Sequence, residues 1–353
     1  MSLTLQNPDV KKVGATIRYY GGKSKLVEFI NDSLLKSGIK AGASILDGFT
    51  GTSVVAQSFK RAGFETTAND HLYFSYVLAD AHLHFNVEPK FKALGGLATV
   101  LNLLNTINGE TDFITKNYSP HNNCERMYFS KTNAQKIDAI RNLIKEWEDE
   151  KLITIHEKNY LIASLIHAIN LVSNITGTYG AYLKFWESRS TKKLMLQALP
   201  ITNSNFKNKS LNMDVYQIIN NSYDFVYLDP PYNSRNYFAN YFLLEIIARG
   251  WHNFEFKPAG ITGKPNNFEL KSDFNSKNKV EGAFHKLLAN CNSENIAISY
   301  NNEGVLALDR LLEICDLYGR VRTFTFEHKR YRSVNQTGDV TSTTEVLLNV
   351  RKK

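Results

Sequence analysis

The chain has 353 residues, enough to bury the core of one large α/β domain with an insertion, or of two domains. With 43% hydrophobic residues and a formal charge of +8, it is neither disordered nor fibrous, and its surface suits a polyanionic partner without requiring one. Three scattered cysteines, Cys124, Cys291 and Cys315, exclude a clustered zinc site and a disulfide scaffold, and no apolar run is long enough for a signal peptide or a membrane span; a cytoplasmic protein with no membrane partner is expected.

Taken in order, Leu26, Phe29, Ile30 and Leu34 recur at helical spacing and predict a helix over 24–36. A short buried strand follows over 43–47, then a helix over 54–61 that Gly63 ends at its C′ position. A second strand is expected over 64–69 and a helix over 74–85. Strand, helix, strand, helix with short loops is the grammar of a doubly wound parallel sheet. The pattern changes after Pro89. Ile137, Ile140, Ile144 and Trp147 mark one amphipathic helix, and Leu161, Leu165, Ala168 and Val172 another, so a largely helical block is inserted over 89–209. Residues 188–210 are polar and basic, with Arg189, Lys192, Lys193, Lys207 and Lys209; they read either as a solvated linker or as a phosphate-contacting segment. Sheet grammar returns with an apolar strand at 223–228, another at 295–300, a helix over 305–317, and a closing antiparallel pair at 321–327 and 344–350. The Asn-, Lys- and Ser-rich stretch 263–282 reads as a mobile surface loop.

Three constellations carry chemistry. Asp229-Pro230-Pro231-Tyr232 directly follows a buried strand. Two consecutive prolines remove two backbone donors and fix two φ angles, so the turn is rigid and offers a carboxylate and a free carbonyl at the sheet edge where α/β ligand sites lie. Those two acceptors match the need of a planar exocyclic amine such as adenine N6. Its lone pair is delocalised into the ring, and hydrogen bonds from its two N–H groups stabilise the positive charge that develops as it attacks. Tyr232 is placed to stack on the base, which must first leave the duplex. Asp47-Gly48-Phe49-Thr50-Gly51-Thr52-Ser53 is the second: a strand end opens through glycines into a helix N-terminus, and Asp70 follows 23 residues after Asp47, where an acid binds ribose hydroxyls in Rossmann-type folds. The GxGxxG fingerprint is absent, which disfavours NAD. The third, Tyr19-Tyr20-Gly21-Gly22-Lys23-Ser24, fails as a phosphate loop because Ile17 stands where a glycine is needed; a glycine turn that sets Lys23 near an anionic group remains.

In this order, Tyr19–Lys23, Asp47–Ser53, Asp70 and Asp229–Tyr232 resemble the DNA adenine N6-methyltransferases, in particular the alpha class, whose target-recognition region lies between the cofactor motif and DPPY. Asp214, the stretches 299–304 and 329–332, and, in the middle block, 176–184 share the family look. The resemblance implies a Rossmann-like α/β class I S-adenosylmethionine-dependent methyltransferase fold, with a mixed, mainly parallel sheet and an inserted, mainly helical target-recognition domain. Residues 1–88 and 210–353 would form the catalytic domain and 89–209 the recognition region. S-adenosyl-L-methionine would be the cofactor. Tyr19 would pack on it, with Tyr20, Gly21 and Gly22 forming the turn that brings Lys23 near its methionine part. Asp47, Phe49 and Gly51 would line its pocket, Asp70 would take the ribose hydroxyls, and Asp214 would approach the adenine. Asp229 would serve the target amine and also border the methionine end. Ser53 departs from the glycine that many relatives carry.

Double-stranded DNA is the implied partner, with Arg235, Tyr237, Lys329, Arg330, Tyr331, Arg332, Lys192 and Lys193 as candidate contacts. Many such enzymes belong to restriction–modification systems, which implies a cognate restriction endonuclease acting separately. His82 and His84, at i and i+2, do not face one another and read as packing or surface residues; methyl transfer from a sulfonium needs no metal, and none is expected. Two other readings stay open. One is an RNA adenine N6 or cytosine N4 methyltransferase; the other is a catalytically silent DNA-binding protein on the same fold.

Overall fold

The computed structural model describes residues 17, 19, 22–24, 26–234, 236–329 and 342–353, with backbone only for 327–329, 342 and 343. In chain order the elements are α1 (Val27–Lys36), β1 (Ser44–Asp47), α2 (Val54–Arg61), β2 (Glu65–Asn69), α3 (Tyr73–Leu83), α4 (Leu97–Thr106), α5 (Phe113–Tyr118), α6 (Lys131–Asp149) and α7 (Ile155–Val172). Then come β3 (Lys209–Leu211), β4 (Phe225–Leu228), α8 (Tyr237–Arg249), the short rungs β5 (Pro258–Ala259) and β6 (Lys264–Pro265), α9 (Val280–Asn290), β7 (Asn295–Asn301), α10 (Leu308–Tyr318), β8 (Gly319–Lys329) and β9 (Ser342–Lys352).

The strands form one seven-stranded sheet in the order β3-β2-β1-β4-β7-β9-β8. The first five run parallel; β9 pairs antiparallel with β7, and β8 antiparallel with β9. This is the mixed, mainly parallel α/β sheet expected from the sequence. Successive side chains of a strand point to opposite faces, and the two faces are apolar here. Ile45, Phe225, Tyr227, Ala297 and Leu347 pack against Leu26, Ile30 and Leu34 at α1 and Val55 and Phe59 of α2. Leu46, Val226, Leu228, Ile296, Ile298 and Leu348 pack against Phe284, Leu287 and Leu288 of α9 and Leu311 and Ile314 of α10.

The block over 89–209 holds α4 to α7, and its side chains share one core with α3 and α8: Phe74, Val77, Leu161, Leu165, Phe242 and Ile246 belong to the same cluster. Long-range charged side chains fix α3 at both ends. Leu72 at its N-cap offers no side-chain bond, but fully buried Glu245 of α8 accepts from Tyr73 N and Phe74 N, both at 3.0 Å. At the other end, buried Lys60 donates to the carbonyls of His82, Leu83 and Phe85. A negative group at the N-terminus and a positive one at the C-terminus complement the helix dipole and satisfy its orphan backbone groups.

Two expectations need correction. The basic segment 188–210 is not a solvated linker. Leu194, Leu196 and Leu199 are buried, and their N–H groups bond Asn133 Oδ1 of α6, Asn105 Oδ1 of α4 and Tyr160 OH of α7 at 3.0, 2.8 and 2.8 Å. Side chains of three helices stand in for a neighbouring strand, so an extended chain keeps its backbone paired. Residues 263–282 are not a plain surface loop either. They contain β6, a 3-10 turn at Asp273–Asn275 and the start of α9. Phe274 anchors the turn, buried edge-on against both Phe49 (5.3 Å) and Phe284 (5.2 Å). A stretch of turn-forming composition is bound to the core by one buried aromatic.

Candidate cofactor and base-binding site

Chain order reverses between β1 and β4, the position in an open α/β sheet where a crevice forms beyond the strand ends. Four acids stand at or just beyond the C-terminal ends of four adjacent parallel strands: Asp214 after β3, Asp70 after β2, Asp47 on β1 and Asp229 after β4. They line a single cavity of about 360 Å³, within the usual range for a small-molecule site.

The loop from β1 to α2 forms the floor. Gly48 N donates to Tyr227 O (2.9 Å) and Thr50 N to Asn69 O (2.9 Å), tying the loop to β4 and β2. Asp70 accepts from Gly51 N at 2.8 Å and Leu72 N at 2.9 Å, so its carboxylate is held by backbone before any ligand arrives. Burial, only partly offset by those bonds, raises its pKa. Gly51 sits at φ +52°, and a Cβ there would meet the Tyr19 ring at 3.1 Å; both the conformation and the approach call for glycine. Ser53, the departure from the family's glycine, is left-handed at φ 61°, its hydroxyl accepting from Gln57 Nε2. Asn69 clasps the strand ends together, donating to Gly48 O and Met213 O and accepting from Met213 N.

Aromatic rings form two walls. Tyr19 stacks on Tyr241 at 4.7 Å and lies 5.5 Å from Tyr237. Across the cavity are Phe49, Phe274 and Tyr216, the latter two stacked at 6.4 Å. Asp214 stands exposed beside this second wall and caps its own turn through Tyr216 N at 3.0 Å.

Asp47 and Asp229 occupy the inner end. Burial pushes Asp47 up to about 8, against the opposing Thr50 hydroxyl, which donates to its Oδ2 at 2.9 Å. Asp229 is pushed up to about 7, first by burial; Lys23 opposes this and Glu345 adds to it. Lys23 Nζ lies 3.1 Å from both Asp229 Oδ1 and Glu345 Oε2. Burial works against the Lys23 charge, but the two acids outweigh it and hold the ammonium above its ordinary pKa. Of two buried carboxylate oxygens in this wall, Asp47 Oδ1 has no hydrogen-bond donor among the described residues, and Asp229 Oδ1 faces the Lys23 ammonium alone.

Of the expected site residues, Tyr19, Gly22, Lys23, Asp47, Phe49, Gly51, Asp70, Asp214, Asp229 and Pro231 come together around this cavity. Tyr237, expected at DNA, stands in the same wall beside Tyr19. Pro230 is buried and does not line the cavity; Tyr232, expected to stack on a base, is 5% exposed, with its ring edge-on to Tyr300 at 6.1 Å. Lys192 and Lys193 are exposed on the strapped segment and do not reach the cavity. Tyr20, Gly21, Arg235, Arg330, Tyr331 and Arg332 lie outside the described residues, as does the side chain of Lys329. The histidines find other partners than each other. Buried His82 meets His167 and Pro200 O, and His84 stacks face to face on His156, which bonds Asp80. Sequence reasoning missed Asn69, Phe274 and Glu345. Only Glu345 left a signal, a lone acid at the head of the apolar run 346–348.

Comparison with known proteins identifies a family. The family model for the D12 class N6 adenine-specific DNA methyltransferases matches residues 19–308. The type II methyltransferase M.FokI of Planomicrobium okeanokoites is 38% identical over 90% of this chain and 49% of its own length, and the modification methylase StsI of Streptococcus sanguinis is 38% identical over the same shares. The chain therefore spans about half the length of these two relatives. The type II methyltransferase M.NlaIII of Neisseria lactamica is 32% identical over 90% of this chain and 93% of its own.

Proposed function

We propose, for a chain that belongs to the D12 class N6 adenine-specific DNA methyltransferase family, that it transfers a methyl group from S-adenosylmethionine to N6 of an adenine in duplex DNA. The observation that carries this reading is the pair of buried acids in the wall of one cavity, Asp47 with an Oδ1 that has no donor among the described residues and Asp229 with only the Lys23 ammonium on its Oδ1. A buried acceptor without a donor is costly unless a ligand supplies one. S-adenosylmethionine carries an ammonium and a sulfonium, and an exocyclic amine carries two N–H donors, so both ligands suit this acidic wall. When bound, the cofactor supplies an electrophilic methyl group on sulfur.

The remaining work belongs to the chain. Tyr19 and Phe49 offer apolar ring faces, Gly51 lets the backbone approach closely, and Asp70, already oriented by two N–H groups, keeps lone pairs for ribose hydroxyls. Asp214 offers a carboxylate beside the Phe274–Tyr216 wall for the adenine end. Asp229 and the Pro230 carbonyl accept the two N–H groups of the target amine. Charge develops on that nitrogen only as it attacks, so these bonds strengthen in the transition state. The proton then lost passes to water or through Asp229. The target base is flipped out of the stack to reach this wall. The block 89–209 carries sequence recognition, with Lys192 and Lys193 on phosphates. By likeness to modification methylases, the chain protects host DNA from a separate endonuclease.

Purified protein, tritiated S-adenosylmethionine and unmethylated plasmid DNA test this, with the DNA digested to nucleosides after reaction. The label is expected in N6-methyldeoxyadenosine. Label in N4-methylcytosine, or none in DNA while RNA is labelled, refutes it.

A further inference from the structure

Glu345 belongs to none of the motifs and does not line the cavity. It comes from β9, opposite Asn301 of β7, and reaches Lys23 from 322 residues away in the chain. The side chains of Lys23, Asp229 and Glu345 are 4%, 16% and 8% exposed, so two carboxylates share one ammonium away from solvent. Lys23 Nζ lies 3.1 Å from both Glu345 Oε2 and Asp229 Oδ1, so one ammonium divides its hydrogen bonds and its charge between two acids. A lysine has three N–H groups but a single position, and Glu345 draws that position toward β9 as Asp229 draws it toward β4.

We infer that Glu345 is a positioning residue for methyl transfer: by sharing the buried Lys23 ammonium, it keeps that cation from being held by Asp229 alone and so leaves Asp229 lone pairs for the target amine. This rests on the methyl-transfer reading above. Without Glu345, the ammonium is held by Asp229 alone, whose charge is then over-stabilised and whose lone pairs are drawn further to Lys23. The groups facing the Asp229 carboxyl are Lys23 ahead of α1, Tyr19, Asp47 of β1, Tyr227 of β4, Tyr237 of α8 and Glu345 of β9. Of these, Glu345 opposes the ionisation of Asp229 and Lys23 favours it, so loss of the Glu345 charge lowers the Asp229 pKa.

The test uses full-length protein labelled with ¹³C-aspartate, the Asp229 carboxyl signal being assigned by its loss in Asp229→Asn. In Glu345→Gln the titration midpoint falls by about one pH unit, the effect of one like charge at close range. The acid limb of methylation of unmethylated plasmid DNA moves with it, and the plateau rate falls about tenfold, as for one misdirected charged hydrogen bond. Glu345→Asp, which keeps the charge, returns the midpoint close to wild type. An unmoved midpoint in Glu345→Gln overturns the inference, and so does a moved midpoint with an unchanged plateau rate. If the Gln variant does not fold, the wild-type titration decides, since an Asp229 midpoint in the ordinary carboxylate range contradicts it. Wild-type protein that titrates as expected but methylates no adenine sinks the methyl-transfer reading instead, leaving the Lys23 arrangement standing.

Discussion

Asp229 accepts a hydrogen bond from an amine about twice as strongly when ionised, and its burial opposes that charge. With its pKa pushed up to about 7, the carboxyl is protonated below that pH and the anionic acceptor is lost. The rate of methyl transfer should therefore fall as pH drops through about 7, well above the ordinary carboxylate range; a flat profile between pH 5.5 and 8 would contradict the assignment. Asp229→Asn keeps the shape but exchanges an anionic acceptor for a neutral amide, and the transfer rate is expected to drop about 10²–10³-fold in single-turnover kinetics. The same burial has a consequence for stability. Asp47 and Asp229 have folded pKa values above their unfolded ones, so their contribution is fully present below about pH 4 and is lost as pH rises through about 7 to 8. Ligand-free protein should lose melting temperature from these groups across that window, and cofactor binding should restore part of it. Equal loss with and without cofactor would count against Asp47 and Asp229 as its partners.

At the scale of elements, α3 shows how the site is braced from outside it. Asp70 and Leu72 lead directly into this helix, and the Glu245 carboxylate holds its first two N–H groups. Glu245→Ala leaves the buried Phe74 N, the half-buried Tyr73 N and Arg249 without this carboxylate, and should cost about 1–3 kcal/mol for the buried donor left unsatisfied, read as a lower urea midpoint; no change would mean that the cap is replaced by water. The elements that could be read from sequence were those whose pattern is local: β1, α2, β2, α6, α7 and β7 fall where periodicity and turn residues put them. Helix α8 could not be read this way. Tyr237–Arg249 is apolar almost all round because it is buried between α3, α7 and β6, so it has no amphipathic stripe to see. Site residues divide in the same way. Asp47, Asp70 and Asp229 announce themselves by strand ends and glycine or proline neighbours, whereas Glu345 and Glu245 matter only through pairings across the fold.

At the scale of the whole molecule, the inserted block cannot be a detachable recognition module. Its helices share a core with α3 and α8, and the strap at 188–210 is bonded by side chains of α4, α6 and α7. Excising 89–209 should leave a chain that does not fold cooperatively, because the apolar faces of α3 and α8 would be uncovered; a sharp, cooperative unfolding transition from the excised chain would refute this. Exchanging the block with that of a relative of different specificity should move the methylated site, provided that the facing residues of α3 and α8 travel with it. Methylome sequencing that finds the site unchanged would place recognition elsewhere.

The most direct measurement is a structure of the protein with S-adenosylhomocysteine and duplex DNA containing its target adenine. Asp229 and the Pro230 carbonyl are expected about 2.7–3.2 Å from N6 of the extruded base, with that nitrogen facing the cofactor sulfur. A complex in which the Asp229–Tyr232 turn points away from the sulfur, or in which the adenine stays stacked in the duplex, would contradict it.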